Sequence, residues 1–227
     1  MLEHAGTSHL HLDFTVEPPR WKDEMMGQNV HIRATEILAR GKGIAKKVTF
    51  DYEAHDGQTV VNTREVYEID DAVAVIPFDP ERGTVLLTRQ FRLPAWLSGY
   101  RGSLIEACAG KLEGEDPQTR ILHEAEEELG YRLHDLQKAF DLFSSPGNTT
   151  ETVSCYVALY SPANKVSEGG GLHEEGEHIE VLELPLHAAF NMVETGAIRD
   201  AKTVALLQYA QLRFAKSVAA PAFTSGR

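Results

Sequence analysis

The segment GKLEGEDPQTRILHEAEEELGY, residues 110–131, decides which fold the chain is expected to adopt. Asp116 is a favourable helix N-cap, Pro117 suits the first helical position, and Gly130 suits the position just after the last turn. Apolar residues recur between them at helical spacing, namely Ile121, Leu122, Ala125 and Leu129. The pattern therefore predicts a short amphipathic helix with one buried stripe that ends at Gly130.

Three glutamates of this helix, Glu124, Glu127 and Glu128, stand at positions i, i+3 and i+4. They are expected to neighbour one another on the surface beside the apolar stripe, where like charges destabilise a helix by roughly 0.2–0.5 kcal/mol per pair. Glu127 and Glu128 also lie at the negative end of the helix dipole, which costs about 0.3–1 kcal/mol each. A hard divalent cation such as Mg²⁺ would convert this repulsion into ligation. A solvated acidic face is the alternative interpretation of an isolated E-x-x-E-E pattern.

The whole segment resembles the Nudix box, G-x5-E-x7-R-E-U-x-E-E-x-G-U, in which U is a bulky apolar residue. Two positions depart from it: four residues rather than five separate Gly110 from Glu115, and His123 stands at the place of the box arginine. In the family that arginine and the first glutamate mainly brace the loop against the helix. The departures therefore concern the brace more than metal binding, and Glu115 is expected to be structural.

Composition restricts the function classes. The 227 residues, 42% of them hydrophobic, suit one medium domain with a smaller addition. A net charge of −12 argues against nonspecific nucleic-acid binding, which depends on Lys and Arg. No apolar run approaches the ~20 residues of a membrane span, and we expect neither a signal peptide nor membrane contact. Cys108 and Cys155 lie in apolar runs and are predicted to be buried thiols, which favours a reduced, cytoplasmic location.

The element order predicts an α/β fold. Strands are predicted at 44–54, 58–69, 71–78, 84–91, 104–108, 135–144, 151–160 and 179–184, with helices after Asp116, at 185–194 and at 200–216. Asp56-Gly57 favours a hairpin between the first two strands, and 93–102 is predicted to be a loop. Such an order gives a mixed sheet covered on both faces. That agrees with the α/β/α sandwich which the Nudix resemblance implies, preceded here by a small N-terminal antiparallel β-sheet.

The chain is expected to comprise four regions. These are an N-terminal extension at 1–40, a β-hairpin region for substrate and dimer contacts at 41–69, a Nudix hydrolase domain at 70–216, and a tail at 217–227.

Further motifs narrow the resemblance to the nucleoside-diphosphate-sugar pyrophosphatases, and within them to the GDP-mannose and ADP-ribose pyrophosphatases. They are IEACAGKLEGEDP at 105–117, SSPGNTTE at 144–151, GGGLHEEGEHIEVLELPL at 169–186 and IRDAKT at 198–203. The likeness runs from about residue 44 to residue 212. The segment ending HIEVLELPL also resembles the UDP-sugar pyrophosphatases, which remain an alternative. Departures are a longer loop at 173–178 and Asn148 at a usual glycine.

The resemblance implies a hydrolase that depends on Mg²⁺, or on Mn²⁺, and cleaves a small-molecule nucleotide sugar to a nucleoside monophosphate and a sugar phosphate. The implied metal ligands are the carbonyl of Ala109 and the carboxylates of Glu124, Glu127, Glu128 and Glu177. Glu127, Glu128 and Glu177 are also the candidate catalytic residues. Glu177 matches the acid of a loop that closes over the site, and the glycines at 169–171 are expected to make that loop flexible. Glu174 and Glu175 are the substitutes if the register differs, and His178 is expected to be a bystander.

Substrate contacts follow from the same resemblance. Arg92, Lys111 and Lys202, with the box glycine Gly110, are expected at the phosphates, where arginine suits bidentate contacts. Glu151 would accept from a sugar or ribose hydroxyl, and Arg64 and Glu65 would reach the nucleoside end. In the related enzymes a partner subunit helps to bind that end, so a homodimer is implied. A Nudix domain that senses nucleotide sugars without hydrolysis is the alternative from another class, and the repulsive glutamates disfavour it.

Overall fold

The structure, a computed structural model, describes residues 29–172, 174 and 176–214. Its first three strands, β1 (Val30–Arg40), β2 (Ile44–Glu53) and β3 (Thr59–Glu68), form a small antiparallel sheet in the order β1–β2–β3. The predicted hairpin of β2 and β3 is confirmed. Gly57 in its turn has a φ of 77°, a conformation that glycine adopts at little cost.

Strand β1 is an element that the sequence does not predict. The segment VHIRATEILAR begins with alternating apolar residues, but Ile37 and Leu38 are adjacent and break the period of two. All of its residues are exposed, so no buried face marks it either. Contacts divide the described residues into a smaller unit, residues 29–35 and 48–64, and a larger unit, residues 36–47, 65–172, 174 and 176–214.

A seven-stranded mixed sheet forms the main part of the larger unit among the described residues. Its strands are β4 (Ala72–Asp79), β5 (Thr84–Gln90), β6 (Leu104–Glu106), β7 (Cys108–Lys111), β8 (His134–Phe143), β9 (Thr152–Leu159) and β10 (Glu180–Pro185). The main path has the order β10-β5-β4-β9-β8, in which β4 and β9 are parallel and the other pairs are antiparallel.

Strands β4 and β5 pair beside the turn that joins them and diverge away from it, where each of them pairs with a short strand. Phe78 pairs with Val85 beside the turn, whereas β7 pairs with the start of β4 and β6 with the end of β5. The single strand predicted at 104–108 is therefore wrong in detail. The chain changes partners at Ala107, whose backbone N–H donates to Oγ1 of Thr203 at 2.7 Å.

The helices are α1 (Leu93–Leu97), α2 (Pro117–Glu124), α3 (Leu186–Glu194) and α4 (Ala201–Phe214), with a π-helical turn at Ala125–Leu129 after α2 and a short 3₁₀ turn at Pro162–Asn164. Helix α1 lies in the segment predicted to be a loop. Pro94 is compatible with it because a first-turn residue donates no hydrogen bond within the helix.

Two hydrophobic cores lie on opposite faces of the mixed sheet, because successive strand residues point to opposite sides. Residues of β4 show this alternation: Ala74 and Ile76 belong to one core, and Val73 and Val75 to the other. Helices α3 and α4 supply Leu186, Ala189, Leu206, Leu207 and Ala210 to the first core, and α2 with its π turn supplies Ile121, Ala125 and Leu129 to the second. The predicted α/β/α sandwich is confirmed.

Both cysteines are buried free thiols, as predicted. No helix of the described part of the chain combines the length and the apolarity that crossing a membrane requires. The proposed domain limits stay predictions, and residues 1–28 and 215–227 lie outside the described residues.

Candidate active site

The segment predicted to be one α-helix changes its winding at Glu124. Asp116 caps α2 as predicted, and its carboxylate accepts from the amides of Gln118 and Thr119, each at 3.1 Å. After Glu124 the chain widens into the π turn, in which the amide of Gly130 donates to the carbonyl of Ala125, five residues earlier. Gly130 ends the turn with a φ of 78°, as expected of a glycine at this position. Such wide turns frequently occur at functional sites.

Glu124 and Glu128 are buried, with 6% and 3% of their surface exposed. The expectation that they lie on the surface beside the apolar stripe is therefore wrong. Strand β7 covers them: the amide of Ala109 donates to Oε2 of Glu128 at 3.2 Å. A Cβ atom at Gly110 would overlap the carboxylate of Glu124. The box glycine is thus the residue that admits a carboxylate beneath the strand.

Burial disfavours the ionised form of both carboxyl groups. It raises the pKa of Glu124 to about 7, an effect that Arg120 opposes and that the charges of Glu127 and Glu177 reinforce. Burial also raises the pKa of Glu128 to about 8, with a further contribution from the charge of Glu124. Two buried carboxyls with raised pKa values favour a bound cation, which would stabilise their ionised forms.

Glu177 lies with these two carboxylates along one cavity of about 630 Å³. Its Oε2 accepts from the amide of Leu172 at 2.9 Å, and Gly171 leaves room for its side chain. Glu174 is exposed and does not line the cavity. His178 does not line it either, and Glu175 lies outside the described residues.

The three glycines before Glu177 have a structural use in addition to the predicted flexibility. Gly169, Gly170 and Gly171 all have positive φ, at 67°, 111° and 76°. The amide of Gly170 donates to the carbonyl of Glu128 at 2.9 Å, and that of Gly171 to the carbonyl of Glu127 at 3.1 Å. These bonds satisfy carbonyls at the end of the π turn that have no partner within it. A Cβ atom at Gly169 would overlap the Glu128 carbonyl, so the contact requires glycine.

The lining of the cavity is acidic overall. The carboxylic residues are Asp70, Glu113, Glu124, Glu128, Glu151, Glu177 and Asp200, and the basic residues are Lys42, Arg92, Lys111, Arg120 and Lys202. With all of these carboxylates ionised, the lining would carry net negative charge, and a cation would offset it for a diphosphate.

The three basic residues predicted for phosphate binding all line this cavity, and each is already paired with an acid. Lys111 pairs with Glu151, the residue predicted to bind a sugar hydroxyl. Arg92 Nε lies 2.8 Å from Glu106 Oε2, and Lys202 Nζ lies 3.0 Å from Glu106 Oε1. Burial opposes the charge of Lys202, but Glu106 and Asp200, also 3.0 Å away, raise its pKa overall.

Glu106 is a residue of this site that the sequence interpretation missed. It is only 3% exposed, and it joins Arg92, which precedes α1, to Lys202 of α4. The sequence signal that could have identified it is the presence of a glutamate within the apolar run LIEACA, because an acid in such a run is rarely buried without a partner.

Arg120 is the second missed residue. Its Nη2 lies 2.5 Å from Oε1 of Glu124, one helical turn away, and its side chain is 21% exposed. His123, at the place of the box arginine, lies on the outside with its Nδ1 3.6 Å from Glu115 Oε2. The cation next to Glu124 therefore comes from Arg120, and only the weak contact of His123 with Glu115 remains of the expected brace.

Three residues predicted for the site are not among those lining the cavity. Glu127 is half-buried and Glu65 is exposed. Arg64 belongs to the smaller unit, where it donates to Asn62 and to the carbonyl of Thr63. Their proposed roles stay predictions. Glu126 does not line the cavity either, and its Oε1 lies 3.1 Å from Nε of Arg132.

The donor chemistry suits a hard divalent cation, since oxygen atoms of Glu124, Glu128, Glu177 and Ala109 line one cavity. The described residues nevertheless contain no cluster of three or more acidic, histidine or cysteine side chains already arranged around a metal position. Both box carboxylates already have partners: Arg120 pairs with Glu124, and the Ala109 amide donates to Glu128. The residues fit a metal by donor type and by burial.

Comparisons with known proteins agree with the fold and identify the family. Residues 69–207 match the NUDIX domain, and residues 29–67 match the GDP-mannose pyrophosphatase NudK N-terminal domain. The GDP-mannose pyrophosphatase of Cronobacter sakazakii is 43% identical over 189 residues, which cover 83% of this chain and 98% of that protein. The GDP-mannose pyrophosphatase of Klebsiella pneumoniae is 42% identical over 187 residues, which cover 82% and 93%.

A crystal structure described as an ADP compounds hydrolase is similar in fold. The TM-score is 0.64 at 21% identity, and the match covers 83% of this chain and 96% of that one. The matched domain includes the entire box and most of the residues that line the cavity. The chain belongs to the Nudix family.

Proposed function

We propose that the protein is a metal-dependent pyrophosphohydrolase that cleaves a nucleoside-diphosphate sugar into a nucleoside monophosphate and a sugar phosphate. GDP-mannose is the first substrate to test and ADP-ribose the second. The observation that carries the proposal is the buried pair Glu124 and Glu128, set in a cavity that Arg92, Lys111 and Lys202 also line. The relatives named as GDP-mannose pyrophosphatases match over nearly their whole length and favour that substrate.

Mg²⁺ or Mn²⁺ would be held by Glu124, Glu127, Glu128 and Glu177 and by the carbonyl of Ala109. When bound, the cation would neutralise charge on the diphosphate and lower the pKa of a bound water. The pKa values of Glu124 and Glu128, near 7 and 8, support this assignment because a cation would relieve the cost of ionising them.

Hydrolysis adds water across one P–O bond of the diphosphate, so a proton must leave the attacking water. We assign that proton to Glu177, which borders the same cavity as Glu124 and Glu128. The Leu172 amide at 2.9 Å orients its carboxylate. Glu128 and Glu127 are the other candidates for this role.

Arg92, Lys111 and Lys202 are proposed to bind the phosphate oxygens, with Gly110 beside them. Glu106 holds Arg92 and Lys202 in place before the substrate arrives, which reduces the entropy lost on binding. Glu151 is proposed to accept a sugar or ribose hydroxyl while it retains Lys111. Arg64 and Glu65 are proposed to contact the nucleoside.

A homodimer is part of the proposal. Strand β1 exposes four apolar side chains, Val30, Ile32, Ile37 and Leu38, each at least 45% exposed. Exposed apolar groups on a strand with a free edge favour association with another chain. Light scattering on the full chain tests this, and a monomer at micromolar concentration would exclude it.

The proposed reaction can be tested on the full chain with Mg²⁺ or Mn²⁺ against GDP-mannose, ADP-ribose and UDP-glucose. Both products are phosphomonoesters, so alkaline phosphatase converts them to measurable inorganic phosphate while the intact substrates release none. We expect the highest kcat/KM with GDP-mannose. A preference for UDP-glucose would favour the UDP-sugar alternative. Binding without turnover, measured by calorimetry, would favour the sensor.

A further inference from the structure

Arg120 occupies an unusual position for an arginine of a solvent-facing helix turn. Four-fifths of its side chain is buried, and it borders the same cavity as Glu124, Glu128 and Lys202. Its Nη2 forms an ion pair with Oε1 of Glu124 at 2.5 Å, and Glu124 is one of the proposed metal ligands. The guanidinium therefore lies where a cation bound to Glu124 would compete with it.

The hydrogen bonding of Arg120 is incomplete. Among the described residues, its buried Nε–H has no hydrogen-bond partner. Arg92, the other arginine of the cavity, has its Nε–H satisfied by Glu106 at 2.8 Å. A buried donor without a partner is costly, and a guanidinium has five donors arranged to match the oxygens of a phosphate or carboxylate. Arg120 thus has donor capacity that Glu124 does not use.

No other basic residue of α2 takes the place of Arg120. The side chain of His123 is 59% exposed and faces Glu115 on the outer side of the helix. Lys111, which also lines the cavity, is paired with Glu151. Without a metal, the charge on Glu124 is therefore balanced mainly by Arg120, which stands at a position that the box motif leaves unspecified.

We propose that Arg120 is an exchangeable counterion. It holds Glu124 in the metal-free protein, yields that carboxylate to the divalent cation, and then donates to a phosphate oxygen of the substrate. The inference rests on the proposed metal-dependent function. Its physical basis is that a guanidinium and a divalent cation repel each other and require the same carboxylate oxygen. Once released into a cavity that receives a diphosphate, the planar guanidinium has a matching anion.

Metal binding without substrate tests the first half. Calorimetric titration with Mn²⁺ alone should show tighter binding to Arg120→Met than to wild type, by on the order of tenfold. Arg120→Lys, which keeps the charge, should lie between them. Arg132→Met is the matched control, because it also removes a positive charge paired with a helix glutamate but does so outside the cavity. Weaker metal binding to Arg120→Met would overturn the proposal, since Arg120 would then be positioning Glu124 for the metal.

The Glu124→Gln variant shows whether Arg120→Met changes Mn²⁺ binding through Glu124. If Arg120 competes through Glu124, then Arg120→Met should not tighten Mn²⁺ binding further when Glu124→Gln is already present. An equal gain in both backgrounds would overturn the exchange and leave only a general charge effect.

Steady-state kinetics at saturating metal test the second half. Arg120→Met should raise KM about tenfold or more through loss of a charge-assisted hydrogen bond, with a smaller change in kcat. An unchanged KM would exclude the phosphate contact. Circular dichroism in chelator verifies folding, and if Arg120→Met does not fold, Arg120→Lys carries the same comparisons.

The two proposals fail in different ways. A wild-type protein that binds Mn²⁺ through Glu124 but hydrolyses no nucleotide sugar would refute the proposed function and leave the metal titration of Arg120→Met interpretable. A wild-type enzyme that hydrolyses GDP-mannose, with unchanged metal binding in Arg120→Met, would refute the role of Arg120 alone.

Discussion

Gly110 lies so close to Glu124 that a Cβ atom at position 110 would overlap Oε1 of that carboxylate. Gly110→Ala should therefore displace Glu124 and reduce both Mn²⁺ affinity and kcat, each by about tenfold or more. Gly147→Ala is the control, because its added Cβ meets nothing within 4 Å. Calorimetry and turnover measured on both variants check the prediction. Wild-type metal affinity in Gly110→Ala would mean that Glu124 is not a ligand.

Glu128→Gln should lower turnover by about a hundredfold or more while the fold is retained. The substitution keeps the shape of the side chain and removes the charge of a buried carboxylate proposed to bind metal. Glu126→Gln, on the same turn but paired with Arg132 outside the cavity, should behave as wild type. An active Glu128→Gln enzyme with unchanged Mg²⁺ dependence would refute the assignment.

The free energy of unfolding of the metal-free protein should decrease as pH rises from about 5 to 8. Burial raises the pKa of Glu124 to about 7 and that of Glu128 to about 8, from an ordinary value of 4.5. The folded protein therefore retains protons that the unfolded chain releases. The stabilisation is fully present below pH 4.5 and is lost as pH rises through the folded pKa values. Thermal melting in chelator should show this decrease in wild type and a smaller one in Glu124→Gln/Glu128→Gln.

Mg²⁺ should reverse that loss, and it should raise Tm more at pH 8 than at pH 5.5, because its ligands must first lose their protons. The double variant Glu124→Gln/Glu128→Gln should gain little at either pH. Equal shifts in both proteins would locate the metal elsewhere.

Glu177→Gln should reduce kcat by roughly 10²–10⁴, the usual contribution of a general base, with little change in KM. Arg92→Ala should instead raise KM. Parallel kinetics of Glu174→Gln and Glu175→Gln decide whether the loop acid has been placed correctly. A large loss in either of these would move the role to that residue, and no loss in any of the three would transfer it to the box.

Glu106→Gln should raise KM by about tenfold and lower Tm, because Arg92 and the buried Lys202 lose the acid that orients them. Glu180→Gln is the control, since it breaks the exposed pair with Arg89 and should change neither quantity measurably. A wild-type KM in Glu106→Gln would restrict Glu106 to a role in stability.

The helix of the box was predictable because residues at its ends define its limits: Asp116 caps it, Pro117 starts it and Gly130 ends its last turn. The burial of Glu124 and Glu128 was not predictable from helical periodicity, because it depends on β7 crossing above them through Ala109 and Gly110. The π turn was not predictable from the sequence either, since hydrophobic spacing alone does not distinguish it from a regular helical turn.

Glu106 and Arg120 were missed for a similar reason. Glu106 pairs with Lys202 of another element, and such a pairing is a property of the folded chain. Arg120 pairs with Glu124 on its own helix, but its burial at the cavity depends on the packing of that helix. Strand β1 was missed because it buries no face that would impose alternation on its sequence. The residues that match the Nudix box were predictable from the resemblance, whereas the structure was required to find Glu106 and Arg120, which pair with charged residues of the site.

The anchoring of Gly170 and Gly171 to the carbonyls of Glu128 and Glu127 divides the following loop into a fixed base and a tip. Five residues, 172–176, separate that base from Glu177. Insertions or deletions in this tip would change the position of Glu177 without disturbing the turn that carries the box glutamates. The loop acid and the box glutamates can therefore be repositioned independently of each other.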